Sequence, residues 1–178
     1  MLTVLGFICG INIESIYASD ILIDAIELAK ENLNLLTKQG LNCRKTRLEK
    51  MYNEYGKQSH SDAIISTDKL LKQINLTNNT VDYSVFSADI LNENSLVKAE
   101  FKADIIFTDV PYGNLVSWSE NNQFAIDILL NTLIPILSDN SIIAISSVKS
   151  QKIINPQFKR IRKILIGKRK IELLQKVK

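Results

Sequence analysis

The sequence predicts an α/β protein: a mostly parallel sheet wound on both faces, with a helical insert and a C-terminal β-hairpin. Three observations lead there. Short apolar runs of strand type alternate with helical stretches along the chain. Three of those runs end in an aspartate, at Asp20, Asp89 and Asp109. Residues 149–178 hold eleven Lys/Arg and one acid, Glu172, whereas residues 1–148 hold eleven against eighteen acids. A basic end on an acidic body points to a polyanionic partner, with a solvated basic face as the alternative.

The chain has 178 residues, 46% of them hydrophobic, and a net charge of +3, which suits one domain over 1–178 with a core of its own. No apolar run is long enough for a membrane span. The opening MLTVLGFICGI is apolar but short, without a basic leader or a small-residue cleavage site, and does not read as a signal peptide. Cys9 and Cys43 stand alone, without metal-ligand spacing, as in a cytoplasmic protein with reduced thiols. His60 is the sole histidine, which excludes multi-His metal sites and most His-dependent catalysis. No metal and no obligate protein partner are expected.

The elements follow in order. Residues 2–9 read as the last turns of a helix stopped by Gly10. Residues 15–19, SIYAS, read as a buried strand ending at Asp20. Asp24 to Lys38 carries Ile26, Leu28, Ala29, Leu33 and Leu36 at helical spacing. Residues 42–75 predict a polar helical insert, one helix near Arg44–Tyr55 and, past Gly56, a second capped by Ser59 or Ser61 and running to Gln73. Strands are expected at Val81–Ser87, Ala103–Thr108 and Ser141–Ser147, and a helix at Asn121–Leu137. Within about 160–178, Arg162–Ile166 and Ile171–Lys176 read as a hairpin around Gly167.

In such sheets ligands bind outside the carboxyl ends of the strands. Parallel strands would bring Asp20, Asp89 and Asp109 to one rim; each alone would pass as a loop or cap residue. An acid after the second strand of a nucleotide-binding sheet accepts from ribose hydroxyls, the context of Asp20, and Asp89 could accept an adenine amino group.

The segments ASDILIDAIELAKENL, SADIL and TDVPYG resemble the second-strand, adenine-contacting and Asp-Pro-Pro-Tyr motifs of class I S-adenosylmethionine-dependent methyltransferases. Val110 stands where the first proline is usual. More narrowly, TVLGF, the insert with YNEYGK, and TDVPYGNLVSW followed by the basic IGKRKIELL are similar, in order and spacing, to AviRa-type ribosomal RNA methyltransferases. That resemblance covers nearly the whole chain. It implies a Rossmann-like methyltransferase sheet, S-adenosyl-L-methionine as cofactor, and a guanosine of large-subunit ribosomal RNA as target, a modification that can confer orthosomycin resistance. Asp20, Asp89, Ile90 and Asp109 would hold the cofactor.

The residues suit the chemistry. An exocyclic amine is a poor nucleophile because its lone pair is delocalised into the ring. The Asp109 carboxylate and the Val110 carbonyl, accepting its two N–H bonds, would turn that lone pair outward. Pro111 would fix the corner, and Tyr112 would offer a stacking face worth ~1–3 kcal/mol to an extruded base. A rigid turn with a core tyrosine is the alternative. Trp118 would wall the same loop or pack down as an anchor. Lys168, Arg169 and Lys170 at a projecting hairpin tip are the better RNA-phosphate candidates; Arg44, Lys45, Arg47 and Lys50 give the insert a basic edge.

Members of this family carry a first strand and a glycine loop. Gly6 and Gly10 do not fit that loop, since nine residues separate Gly10 from Asp20 and a crossover takes at least ~10–12. The expectation is therefore an N-terminally truncated sheet. Two other functions fit the same residues: a non-catalytic RNA-binding remnant, and an adenine-N6 methyltransferase acting on nucleic acid.

Overall fold

The structure is a computed structural model that describes residues 13–77, 81–110 and 124–177. The helix expected at 2–9, and Pro111, Tyr112 and Trp118, lie outside the described residues. The chain forms two compact units, Met1–Ser87 and Ala88–Lys178.

In the first unit, strand β1 (Ser15–Asp20) pairs in parallel with β2 (Asp82–Ser87), Ser15 opposite Asp82 and Asp20 opposite Ser87. Helix α1 (Ile23–Asn34) follows β1. Leu33, Leu36 and Val81 form a buried cluster against which Ile13, Ile16, Ala18, Tyr83 and Val85 pack. This is the alternation expected of a strand with one face on a helix.

The insert is a pair of helices, α2 (Lys38–Tyr55) and α3 (Gln58–Thr77). The apolar periodicity predicts one helix to Lys38, but α1 stops at Asn34 and α2 begins four residues later. Thr37 decides the break. It is extended, its hydroxyl accepts from the Gly40 amide at 2.9 Å, and it donates to the Asn34 carbonyl at 2.8 Å. A side-chain oxygen that satisfies a first-turn amide starts a new helix. Gly40 is required there, since a Cβ would lie 2.1 Å from the Asn34 carbonyl oxygen. Gly56, at φ 61°, closes α2 in the left-handed region.

In the second unit, β3 (Ala103–Asp109), β4 (Leu137–Val148), β5 (Phe158–Ile166) and β6 (Arg169–Lys176) form a sheet in the order β3-β4-β6-β5. The β3/β4 pair is parallel; β6 runs antiparallel to both β4 and β5. Helix α4 spans Ala125–Leu133 and passes into a 3₁₀ turn, Ile134–Ile136. The sequence suggests a helix to Leu137; Pro135 ends it early because it has no N–H to give the preceding turn. Strand β4 starts earlier than expected, at Leu137, with a shift in register opposite Ala103 and Ile105. Ser141 and Ser138 bridge the irregular part, donating to the Ala103 carbonyl at 2.5 Å and to Asp104 at 2.7 Å.

One face of this sheet is dry. Ile143, Ile145 and Ser147 of β4 are fully buried, with Glu172 and Leu174 of β6 beside them, and Leu129 and Leu130 of α4 are equally enclosed. The alternate face is more open: Ile105 and Phe107 of edge strand β3 are 62% and 63% exposed. No helix among the described residues is long and apolar enough to cross a membrane.

Candidate functional site

The apolar run Ile105–Thr108 carries β3 to Asp109, opposite Ser146 of β4. The next residue fixes the corner. The Val110 amide donates to the Ser146 carbonyl at 3.0 Å, and Val110 is only 3% exposed. A proline at 110 has no N–H to make that bond, a physical reason for valine at this place. With the backbone pinned by one residue, the Asp109 side chain stands out at the strand end, 53% exposed. Its Oδ2 lies 3.7 Å from Nη1 of Arg169.

Arg169 reaches Asp109 through sheet order. Turning at Gly167 (φ 55°) and Lys168, the hairpin pairs Ile166 with Arg169, as a two-residue turn does. Arg169 then lies opposite Val148 at the end of β4, on the alternation that Ser146 and Asp109 share.

Lys170 requires a correction. It was expected to project from the hairpin tip with Lys168 and Arg169; it is 3% exposed. Being one residue further into β6, it points to the opposite, dry face. There its ammonium pairs with Glu172 and donates to the Gln151 carbonyl. Arg160 donates to the same carboxylate at 2.7 Å. Burial pushes the Glu172 carboxyl up, the largest single influence, but the bonds from Lys170 and Arg160 prevail and hold it below the usual carboxylate range. Lys168 remains exposed at the turn.

Asp20 and Asp89 adopt the same local turn. Each accepts from the amide two residues on, Leu22 and Leu91, at 2.9 Å. Each uses one carboxylate oxygen in this way and keeps the other for solvent or a ligand. Ile90, between Asp89 and Leu91, is half-buried. In the insert, Arg44, Arg47 and Lys50 are exposed along α2. Lys45 is engaged: its ammonium lies 2.7 Å from Asp68 of α3, and that hydrogen bond raises its pKa. The structure thus brings together Asp109, Val110 and Arg169.

Comparison with known proteins identifies the family. The family model for rRNA methyltransferase AviRa matches residues 1–169. The chain belongs to the AviRa family of rRNA methyltransferases. It is 28% identical, over 98% of its length and 71% of the relative's, to the 23S rRNA (guanine(2535)-N(1))-methyltransferase of Streptomyces viridochromogenes. Two solved structures of the rRNA methyltransferase aviRa from that organism, at 2.4 Å and 1.5 Å, superpose with TM-scores of 0.81 and 0.82. They are 27% and 26% identical, and each match covers 97% of this chain and 70% of theirs.

A nucleoside presents hydroxyl and amino donors to a carboxylate. Asp20 and Asp89 are exposed acceptors, suited to hydroxyl and amine donors, and neither is consumed by an ion pair among the described residues. Sequence reasoning missed the Arg160–Glu172–Lys170 group. Its signal was there: Glu172 is the one acid in a basic segment, and a lone acid among cations in a strand is a candidate for burial with partners.

Proposed function

We propose that this protein transfers a methyl group from S-adenosyl-L-methionine to N1 of a guanosine in large-subunit ribosomal RNA. The observation that carries the reading is Asp109, held at the end of β3 by the Val110–Ser146 bond with its carboxylate turned outward. The relative named for guanine N1 supports the choice of base and atom over the adenine-N6 alternative.

Guanine N1 carries a proton, and its lone pair is tied into the ring. Bound in place, the cofactor supplies an electrophilic methyl on a sulfonium. Asp109 would accept the N1 proton as the N–C bond forms and the S–CH3 bond breaks, leaving the cofactor as a neutral thioether and the base uncharged; such proton transfer contributes ~10²–10⁴ in rate. A ring nitrogen has one N–H to give, so the carboxylate suffices for it. The Val110 carbonyl then accepts from the neighbouring 2-amino group and sets the base in plane. From the motif alone, Pro111 would restrict the backbone after Val110 and Tyr112 would offer the base a stacking face. Asp20 would accept from the ribose hydroxyls, and Asp89 with Ile90 would hold the adenine. Lys168, Arg169, Arg44 and Arg47 contact RNA phosphates. Most of the acceleration would come from holding the base in place against the methyl donor.

The test is methylation of 23S ribosomal RNA with methyl-labelled cofactor. N1-methylation blocks the Watson–Crick edge, so reverse transcription should stop at one modified guanosine. Label incorporated without such a stop would point to another atom, and no label would refute the reading.

A further inference from the structure

A shallow cavity of about 270 Å³ opens where the chain leaves β4, lined by Lys149, Lys152, Arg160, Lys163, Lys170 and Glu172. Five cations face one carboxylate. That carboxylate is already held by Arg160 and Lys170. The side chains of Lys149, Lys152 and Lys163 are exposed, and their ammonium groups make no ion pair or hydrogen bond among the described residues. Like charges gathered around a concavity repel unless an anion sits between them.

The cluster is built rather than incidental. Lys170, buried and fixed by Glu172, donates to the Gln151 carbonyl and ties the loop to β6. The Gln151 amide bonds back to Val148 at 3.1 Å, and Asn155 reaches Asn131 of α4 at 3.4 Å. The loop bearing Lys149 and Lys152 is therefore anchored on both sides. Lys163 faces it from β5, opposite Glu172.

Its place in the sheet says what it meets. Lys149 is three residues beyond Ser146, which pairs with Asp109. Lys163, Lys170 and Glu172 place the cavity on the dry face of the sheet, opposite to the face that carries Asp109 and Arg169, so the phosphates it would meet are not those beside the target base. The volume is several times the ~30 Å³ share of a water molecule, room for a phosphate group.

We propose that Lys149, Lys152 and Lys163 form a backbone-phosphate subsite for the RNA, away from the target nucleotide, with Lys170 and Arg160 as positioning residues. The subsite rests on the proposed RNA substrate. Its test is the triple variant K149A/K152A/K163A in the full chain, measured against a 23S ribosomal RNA fragment. The log–log salt slope of binding should flatten by about 2–3 units. KM for RNA should rise at least tenfold while kcat and cofactor affinity hold. A control triple with the same charge change, K30A/K69A/K72A on exposed positions elsewhere, should keep the wild-type slope. A wild-type slope in the first triple, or an equal flattening in the control, overturns the subsite while leaving the methyltransferase reading intact. Wild-type protein that neither binds nor methylates the RNA overturns both.

Discussion

The guanidinium of Arg169 lies 3.7 Å from the carboxylate of Asp109, joining the first residue of β6 to the last residue of β3 across β4. Both side chains are about half exposed, so the pair is open to water and to ligands. It sets a cation beside the carboxylate proposed to receive the base.

Asp109→Asn keeps the side-chain shape and removes the proton acceptor. We expect kcat to fall by ~10²–10⁴ with cofactor affinity unchanged. Calorimetric titration beside a single-turnover assay checks this. Loss of cofactor binding along with activity would place Asp109 at the cofactor instead.

Arg169→Ala should cost little stability, about 0–1 kcal/mol, because the ion pair is solvent-screened. RNA binding should weaken and its log–log salt slope should drop by about one unit. A melting temperature lowered by many degrees with an unchanged slope would make Arg169 a structural residue.

Lys170→Met leaves the buried Glu172 with Arg160 as its remaining cation and frees the Gln151 carbonyl. Removing one partner of a buried pair costs about 3–5 kcal/mol. Urea unfolding of the variant and the wild type gives the difference. Replacing Lys170 and Glu172 together by apolar residues should recover much of it; a double variant as unstable as the single one contradicts the pairing.

Glu172 also sets a pH dependence. Its pKa in the folded chain lies below the ordinary value of 4.5. A depressed carboxylate stabilises the fold fully above the unfolded value, and that stability is lost as pH falls through the folded one. Unfolding free energy should thus decline below about pH 4.5, and less steeply in Glu172→Gln. Identical acid limbs in the two proteins would exclude Glu172 as a source.

Gly40→Ala tests the turn between α1 and α2. The added Cβ would meet the Asn34 carbonyl oxygen at 2.1 Å, a backbone atom that cannot step aside cheaply. The expected loss is about 1–3 kcal/mol, read from chemical unfolding. Wild-type stability would mean that the helix break relaxes freely.

Much of the site was legible in the sequence. The runs ending at Asp20 and Asp109 are strands that stop at those residues, and the Asp20 and Asp109 carboxylates stand exposed at the strand ends. Period-two apolar runs and turn-forming aspartates are local signals, and local signals survive folding. The helix break at Thr37 was less visible, because Leu33 and Leu36 keep helical spacing up to it. There a hydroxyl cap and a close approach at Gly40 override the periodicity.

By itself the sequence determined the class of fold, the strand-end acids and the basic C-terminal end. Tertiary structure decided what the basic residues do. Lys168, Arg169 and Lys170 are adjacent letters, but the first sits in the turn, the second beside Asp109, and the third inside with Glu172. Side chains on a strand alternate between faces, so a contiguous charge run is divided as soon as the strand pairs. Which neighbour each cation meets depends on the order β3-β4-β6-β5. That order joins residues sixty positions apart, Asp109 and Arg169, by pairings that no window along the chain contains.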